Sequence, residues 1–448
     1  MRIAIIGSGI AGFGAAWLLS SRHQVTVYEA NDRLGGHSNT VSVDYDGKQI
    51  PVDTGFIVYN EATYPNLISL FAALDVPTKL SDMSFSVSVG NGALEYEGSL
   101  KGLVAQPANL LKPSYYRMLA DVARFFCAAP RLLEEESDPD LTLGAFLKRE
   151  GYGDGFLYDH LLPMGAAIWS CPVETMLAFP ARSFVRFFVN HGLLKHAMRP
   201  QWFTVDGGSR TYVQRLASEI EQRGGQIRTG HPVRHIRRLE TGVMIEEPDG
   251  SETYYDQIVI GAHGDEALAM LSDASDEERA LLGCFSYQDN VAVLHRDSSL
   301  MPKRRMAWAS WNYLAEGRRD MDRAVALTYW MNLLQGIDEK HPLFVTMNPL
   351  REPDPALEFA RFNYTHPVFD SAAVSAQENL GRIQGVRNTW FCGSYCGYGF
   401  HEDGLKAAIS VARSLGVTPP WETDVAPASH CWLSRNGSAV LDREAGDD

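Results

Sequence analysis

At 448 residues and a formal charge of −15, the chain is too long for one simple core and too acidic for a dedicated nucleic-acid binder, which needs clustered Lys and Arg for phosphate. With 45% apolar and 21% charged residues it has a soluble globular composition, no run approaches the ~18–20 apolar residues that span a bilayer, and the glycines in the opening MRIAIIGSGIAG point to a cytoplasmic location, because a signal peptide keeps its apolar core intact. Six cysteines do not make a disulfide framework in a chain of this size, and Cys392 and Cys396 lack the paired Cys/His spacing of a zinc site, so buried free thiols and no metal are expected.

The chain opens on a predicted strand, helix and strand. Arg2 to Ile6 form an apolar run suited to a buried parallel strand, residues 13 to 20 favour helix, and QVTVYE returns as the second strand. Gly7, Gly9 and Gly12 take the glycine places of G-x-G-x-x-G, with Ser8, Ile10 and Ala11 between them. The first glycine permits the turn, the second lets backbone approach a pyrophosphate, and the third lets helix close on strand, while the helix N-terminus offers unpaired N–H groups. Glu29 follows Gly9 by 20 residues and precedes Ala30, where a carboxylate hydrogen-bonds a ribose hydroxyl. Together these features predict dinucleotide binding.

Next come NDRLGGHSNT and IPVDTGFIVYN. Here the chain resembles the flavin amine oxidase and phytoene desaturase superfamily, with its R-x-G-G element after the ribose-binding acid and D-x-G after the next hairpin. The resemblance implies FAD, with Arg33, Gly35, Gly36 and the adjoining His37 along its diphosphate and ribityl chain. Nicotinamide dehydrogenases do not require this element.

Residues 76–204 read as mostly helical. In PSYYRMLADVARFFCAAPRLL, Arg117, Asp121 and Arg124 recur on one helical face opposite a broad apolar one, and Phe184, Phe187 and Phe188 crowd one face of a second helix that carries Arg182, Arg186 and Asn190 on the other. Two readings stay open: helices packed on a core, or helices lying on an anionic membrane surface. GAAIWS, FPARSFVRFFVNHGLL, RPQWFTVDGGSRTYV and YGFHEDGL resemble a bacterial subgroup of NAD/FAD-binding proteins encoded beside cyclopropane-fatty-acid synthase-like methyltransferases, which includes flavin desaturases of methylated fatty acyl chains on the route to furan fatty acids. That resemblance implies a fatty acyl or lipid substrate.

Farther on, a strand at 232–238, a meander at PDGS and a strand from Gln257 to Ile260 form a third flavin-side piece, in which the resemblance puts Val233 over the adenine. DNVAVLH, MAWASWNY and AVALTYWMN read as strands of one sheet. NTWFCGSY then predicts a short buried strand ending at Gly393, and EDGLKAAISVARSLG a helix stopped by Gly416. Glu402 and Asp403 suit its start. By resemblance Gly393 and Ser394 meet the FAD diphosphate or ribityl, and the first turn, with Glu402, Asp403, Gly404 and Leu405, aims N–H groups at the flavin. Many relatives carry an acid where Ser394 stands.

The expected fold is α/β: a discontinuous Rossmann-like FAD-binding domain from residues 1–75, 205–285 and 375–420, an α+β substrate domain with a mixed sheet and helical insert from 76–204 and 286–374, and a polar tail at 429–448. With one dinucleotide fingerprint used for FAD, electrons enter from the substrate and leave to oxygen or another acceptor. The expected reaction is desaturation of an unsaturated or methyl-branched acyl chain, because a hydride departs more readily beside a double bond. Amine oxidation, with Tyr395 and Tyr398 as an aromatic cage, and redox-neutral double-bond isomerisation remain alternatives. His401, Tyr395 and Tyr398 lie nearest the expected flavin edge as proton acceptors, and each could equally serve in packing. His191, His263 and Asp53 are candidates by position alone.

Overall fold

A computed structural model describes residues 1–134, 141–169, 173–190, 192–194, 200–316 and 324–422; His191 and the 429–448 tail lie outside them. Arg2–Ile6 pairs in parallel with Gln24–Glu29 on one side and Gln257–Ile260 on the other, and Gln226–Thr229 and Thr389–Phe391 extend the sheet to five parallel strands. Ile3, Ile5, Val25, Val27, Ile258 and Val259 are fully buried, as continuous apolar runs require in a sheet covered on both faces. All ten residues of the helix Ile10–Leu19 are buried. It lies so close to the helix His401–Ser414 that a Cβ on Gly14 would stand 2.9 Å from Leu405. Strands from three distant stretches thus bring the two ends of the chain together.

A second sheet has seven strands, in the order Glu358–Val368, Ser286–His295, Phe344–Met347, Ala324–Trp330, Trp311–Glu316, Phe85–Val89 and Leu94–Glu97. Only the pairing of Trp311–Glu316 with Phe85–Val89 is parallel. Pro367 sits in the edge strand, where a missing N–H costs no ladder bond. DNVAVLH and most of AVALTYWMN join this sheet as expected, whereas MAWASWNY contributes only Trp311 to Tyr313, its start forming the 3-10 turn Arg305–Ala307. The 76–204 stretch adds two more, which the helical reading did not include. Both alternate apolar and polar, FSVSV and LEYE, with Val87, Val89 and Tyr96 in the core of the helical insert, and on the other face buried Ser86 donates to Asn312 and buried Ser88 to Glu95. The strand expected at 232–238 begins only at His235.

The helical insert has its own core, including Phe125, Phe156, Phe184, Phe187 and Phe188, each contributing about 1.5–3 kcal/mol on burial. Tyr115, Met118 and Phe125 of the helix Pro113–Ala128 face this core. Arg124 is held by Asp121 and the Glu150 carbonyl. In Ala181–Asn190, Arg182 donates to the carbonyls of Leu132 and Leu133. The apolar faces of both helices are turned inward.

Candidate flavin site and adjoining cavity

The N-terminal turn is built for close approach. Gly7 holds φ at +91°, a conformation costly for any residue with a Cβ, and a Cβ on Gly12 would stand 1.9 Å from the Gly7 carbonyl oxygen. Around Gly9 nothing lies within 4 Å of a Cβ position, so its bareness serves no contact within the protein. No side chain caps the helix that begins at Ile10, and among the described residues the Ile10, Ala11 and Gly12 N–H groups have no acceptor. Glu29 accepts from the Ser8 amide at 3.0 Å and hydroxyl at 2.6 Å, and from Asn31. The Ser8 hydroxyl accepts in turn from the Gly35 amide, which ties the Arg33–Gly36 loop to the turn. Arg33 folds back to donate to the carbonyls of Gly36 and Ser38. The loop containing Val233 is fastened beside Glu29 through the Gly230 and His231 amides; Val233 is half-buried and the adjacent Ala30 exposed.

At the far end of the chain, Gly393 is extended and has the Tyr395 ring against it, so that a Cβ there would stand 2.5 Å from the ring. In the following helix Asp403 and Gly404 donate to the Phe400 carbonyl, which leaves the His401 and Glu402 N–H groups without an acceptor among the described residues. Gly404 abuts Ile10, with a Cβ position 3.1 Å from its side chain. Two uncapped helix starts therefore converge, an arrangement suited to the anionic and carbonyl groups of a flavin dinucleotide. The acidic side chains take no part. Glu402 accepts from the Asn66 and Leu67 amides and caps the helix Pro65–Ala73, and Asp403 accepts from the Phe400 amide.

Beside this junction lies a cavity of about 1070 Å³, mouth included, between the seven-stranded sheet and the helical insert. Its wall is mainly aromatic and aliphatic, with Phe56, Ile57, Trp169, Trp202, Trp311 and Tyr329 prominent. Among the described residues no carboxylate, Lys or Arg lines it; the polar exceptions are His37, His366, His401, Tyr64, Tyr329 and Tyr398.

His401 and Tyr398 thus face the cavity, whereas Tyr395 does not: its ring is buried against Phe285 and Gly393, and with it goes the Tyr395–Tyr398 cage. Asp53 is a structural hub. It accepts from the Ser209 amide and hydroxyl, Thr40 and Gln335, while burial raises its carboxyl to about 6. His263 stacks on Tyr287 and bonds to Thr365, and it is not among the residues that line the cavity. Cys392 and Cys396 are buried free thiols; burial raises both, Cys396 to about 12.

His401 stacks on Phe56 at 3.8 Å and bonds through Nε2 to the Ser38 hydroxyl at 2.9 Å. His37 and His366 are joined by a chain whose direction follows from one backbone group. The Val291 N–H can only donate, so its acceptor on Asn348 is Oδ1. Asn348 Nδ2 then donates to Asn290 Oδ1, and Asn290 Nδ2 to His366 Nδ1. Neutral His366 must carry its proton on Nε2, which donates to His37 Nε2 at 3.2 Å. His37 is left with its proton on Nδ1, for which the described residues supply no acceptor.

Burial drives all three rings toward the neutral form: His401 falls to about 3, His366 to about 4, and His37 well below its ordinary value, with neighbouring His366 adding to the effect. The unfolded chain takes up protons at these histidines below ~6.5. Stability from keeping them neutral is therefore complete above that pH and is lost as pH falls, by about 3 kcal/mol for His366 alone near pH 4. Thermal unfolding of the protein should show its midpoint falling steeply between pH 6.5 and 4; a flat profile there would contradict the assignment.

The aromatic wall and His366 were not singled out in the sequence. Period-2 alternation was the available signal: neighbouring Tyr329 and Trp330 point to opposite faces, one into the cavity and the other onto Trp308 and Phe344.

The flavin containing amine oxidoreductase family model matches residues 10–294. A Mycobacterium tuberculosis protein, AofH, described as a flavin-containing monoamine oxidase, is 26% identical over 258 residues, covering 55% of this chain and 54% of that protein. The chain spans about half the length of this curated relative, and less of others. A CLA-producing fatty acid isomerase from P. acnes superposes with a TM-score of 0.65 at 17% identity, covering 92% of this chain and 98% of that one. Putrescine oxidase superposes at 0.67 and 13% identity, covering 93% and 99%. The glycine turn, the two uncapped helix starts and the family match agree: the chain belongs to the flavin-containing amine oxidoreductase family, with FAD as its cofactor.

Proposed function

We propose that this flavoprotein desaturates an apolar, chain-like substrate, an unsaturated or methyl-branched fatty acyl chain of membrane lipid. The observation that carries the reading is the cavity wall, whose described residues offer aromatic and aliphatic surface and no fixed charge. A protonated amine entering it would lose hydration without gaining a counter-ion; an acyl chain would gain from burial at every methylene. The resemblance to desaturases of methylated acyl chains supports the same substrate class.

FAD, when bound by the glycine turn and the two helix starts, supplies a two-electron acceptor for a hydride from a carbon next to the substrate's double bond or branch. The chain's own residues hold the acyl segment straight and exclude water. His401 takes the neighbouring proton on Nδ1, its Nε2–H donating to Ser38. A ring lowered to about 3 is a weak base, but the proton next to a developing carbocation is strongly acidic, so a weak base held in place suffices. The product would be a new alkene in the chain, and the two electrons removed with the hydride would pass by way of the bound cofactor to oxygen or another acceptor.

Mass spectrometry of phospholipid acyl chains after incubation with the FAD-loaded protein should show a species lighter by two hydrogens. His401→Gln should retain FAD and lower the rate by about 10²-fold or more. Unchanged chain mass with a shifted double bond would replace the reading with isomerisation. Hydrogen peroxide release on a panel of polyamines and aromatic amines, with lipids inert, would replace it with amine oxidation.

A further inference from the structure

The stretch from residue 98 to residue 120 inverts the usual pattern of inside and outside. Asn109 is fully buried and Gln106 nearly so. Their side chains bond inward to the backbone of the Phe85–Val89 and Leu94–Glu97 hairpin: Gln106 accepts from the Glu95 amide and donates to the Ala93 carbonyl, and Asn109 donates to the Glu95 carbonyl. Three of the five leucines of the same stretch point outward, while Leu103 and Leu119 pack on the core of the helical insert. Leu100 is 88% exposed and Leu111 85%, with Val104, Leu110 and Tyr116 also exposed.

These side chains belong to one locked unit. The Tyr115 hydroxyl donates to the Leu103 carbonyl and the Tyr116 hydroxyl to the Leu110 carbonyl, which fastens both short 3-10 turns, Gly102–Val104 and Pro107–Leu111, to the start of the helix Pro113–Ala128. Polar groups consumed inside and leucines held outside do not describe a leftover loop, since an exposed apolar cluster needs a partner that excludes water.

The charge of the stretch identifies the partner. In a chain of net charge −15, residues 98–120 contain Lys101, Lys112 and Arg117 and no acid. Lys101 and Arg117 are exposed. Lys112 donates to the Ala93 carbonyl and Asn109. The flanking Glu97 is turned onto Ser99, and Asp121 onto Arg124 and the Gly153 amide. Exposed leucines in one stretch with Lys and Arg and without an acid match an anionic bilayer, which takes apolar side chains into its boundary and holds Lys and Arg at the headgroups.

We propose that this knuckle docks the protein on the surface of a membrane rich in anionic lipid. Among the described residues no helix is long and apolar enough to cross a membrane, so the contact is peripheral. The proposal stands apart from the acyl-oxidation reading, because vesicle binding is measured without turnover.

The experiment is cosedimentation of the FAD-loaded protein with vesicles of phosphatidylcholine alone and of phosphatidylcholine mixed with phosphatidylglycerol, at low and high salt. The protein should bind the mixed vesicles, and binding should fall as salt rises. Leu110→Ser with Leu111→Ser should reduce binding at least about tenfold at both salts, and Lys101→Glu with Arg117→Glu should do so at low salt. All four positions are exposed or nearly so, and flavin absorbance with circular dichroism checks that each variant stays folded. Equal binding to both vesicle types, or variants that bind like the parent, would overturn the proposal. So would a concentration-dependent dimer abolished by the leucine substitutions with no vesicle binding, which would assign the face to a second copy of the chain.

Discussion

Replacing Gly9 with alanine should leave the thermal stability of the cofactor-free protein unchanged or slightly raised, and weaken FAD binding at least about tenfold. Gly9 has φ −64° and ψ 176°, a conformation open to any residue, and a Cβ there meets no atom within 4 Å. The folded protein therefore gives no reason for glycine. Alanine would remove conformational freedom from the unfolded chain, an effect of about 0.4–1 kcal/mol in favour of folding. The open position lies where backbone must come close to a pyrophosphate, so the methyl group would meet the cofactor alone. Fluorescence titration of FAD into the apoprotein reads the affinity, and calorimetry reads the stability. Unaltered FAD affinity in Gly9→Ala would show that the dinucleotide does not lie over this turn.

Glu278→Leu should cost about 3 kcal/mol of stability or more. The Arg238 side chain is wholly buried and gives two bonds to Glu278, at 2.6 and 2.9 Å, and two to Asp273, at 2.5 Å to its carboxylate and 2.8 Å to its carbonyl. Burial alone would raise the Glu278 carboxyl, but the bonds from Arg238 and Ser275 outweigh it and hold the group below its ordinary value. Its contribution is complete above ~4.5 and is lost as pH falls through the lowered value. Removing the carboxylate leaves a buried guanidinium with Asp273 as its remaining acidic partner. Arg238→Met combined with Glu278→Leu should recover most of the loss, because an apolar pair avoids the desolvation cost. Arg387 also donates to Asp273, which anchors the approach to Thr389–Phe391 and Gly393, so the single variant should also hold FAD more weakly. Denaturant titration of the three proteins decides the matter; equal midpoints for parent and single variant would mean the network contributes little.

The flavin half was legible in the sequence because its demands fall on the backbone. A turn at +91°, a helix residue whose Cβ would collide with the Gly7 carbonyl and an acid at a strand end each restrict one position to one or two residue types. The cavity imposes no such restriction. Phe56, Trp202, Trp311, Tyr329 and His366 arrive from separate stretches, and any large apolar residue reads in sequence as core. Nearness along the chain misled in one place: Tyr395, three residues from Tyr398, is carried into the core by a single 3-10 turn, Ser394–Cys396. Glu402 stands at the expected helix start, yet its carboxylate serves a helix more than three hundred residues earlier in the chain. FSVSV and LEYE alternate apolar and polar on either side of a Gly-Asn-Gly turn, so this hairpin was legible as period 2, and the helical pattern of the residues after it drew the whole 76–204 stretch into one reading.

The chain from Val291 through Asn348 and Asn290 to His366 and His37 has one sense only. A main-chain amide cannot reverse roles, so every amide and imidazole downstream inherits its orientation, and His37 faces outward as a giver of a hydrogen bond. Any molecule resting against that ring is sorted by a polarity set on an edge-side strand of the other sheet: lone pairs are welcomed there, and protons are turned away.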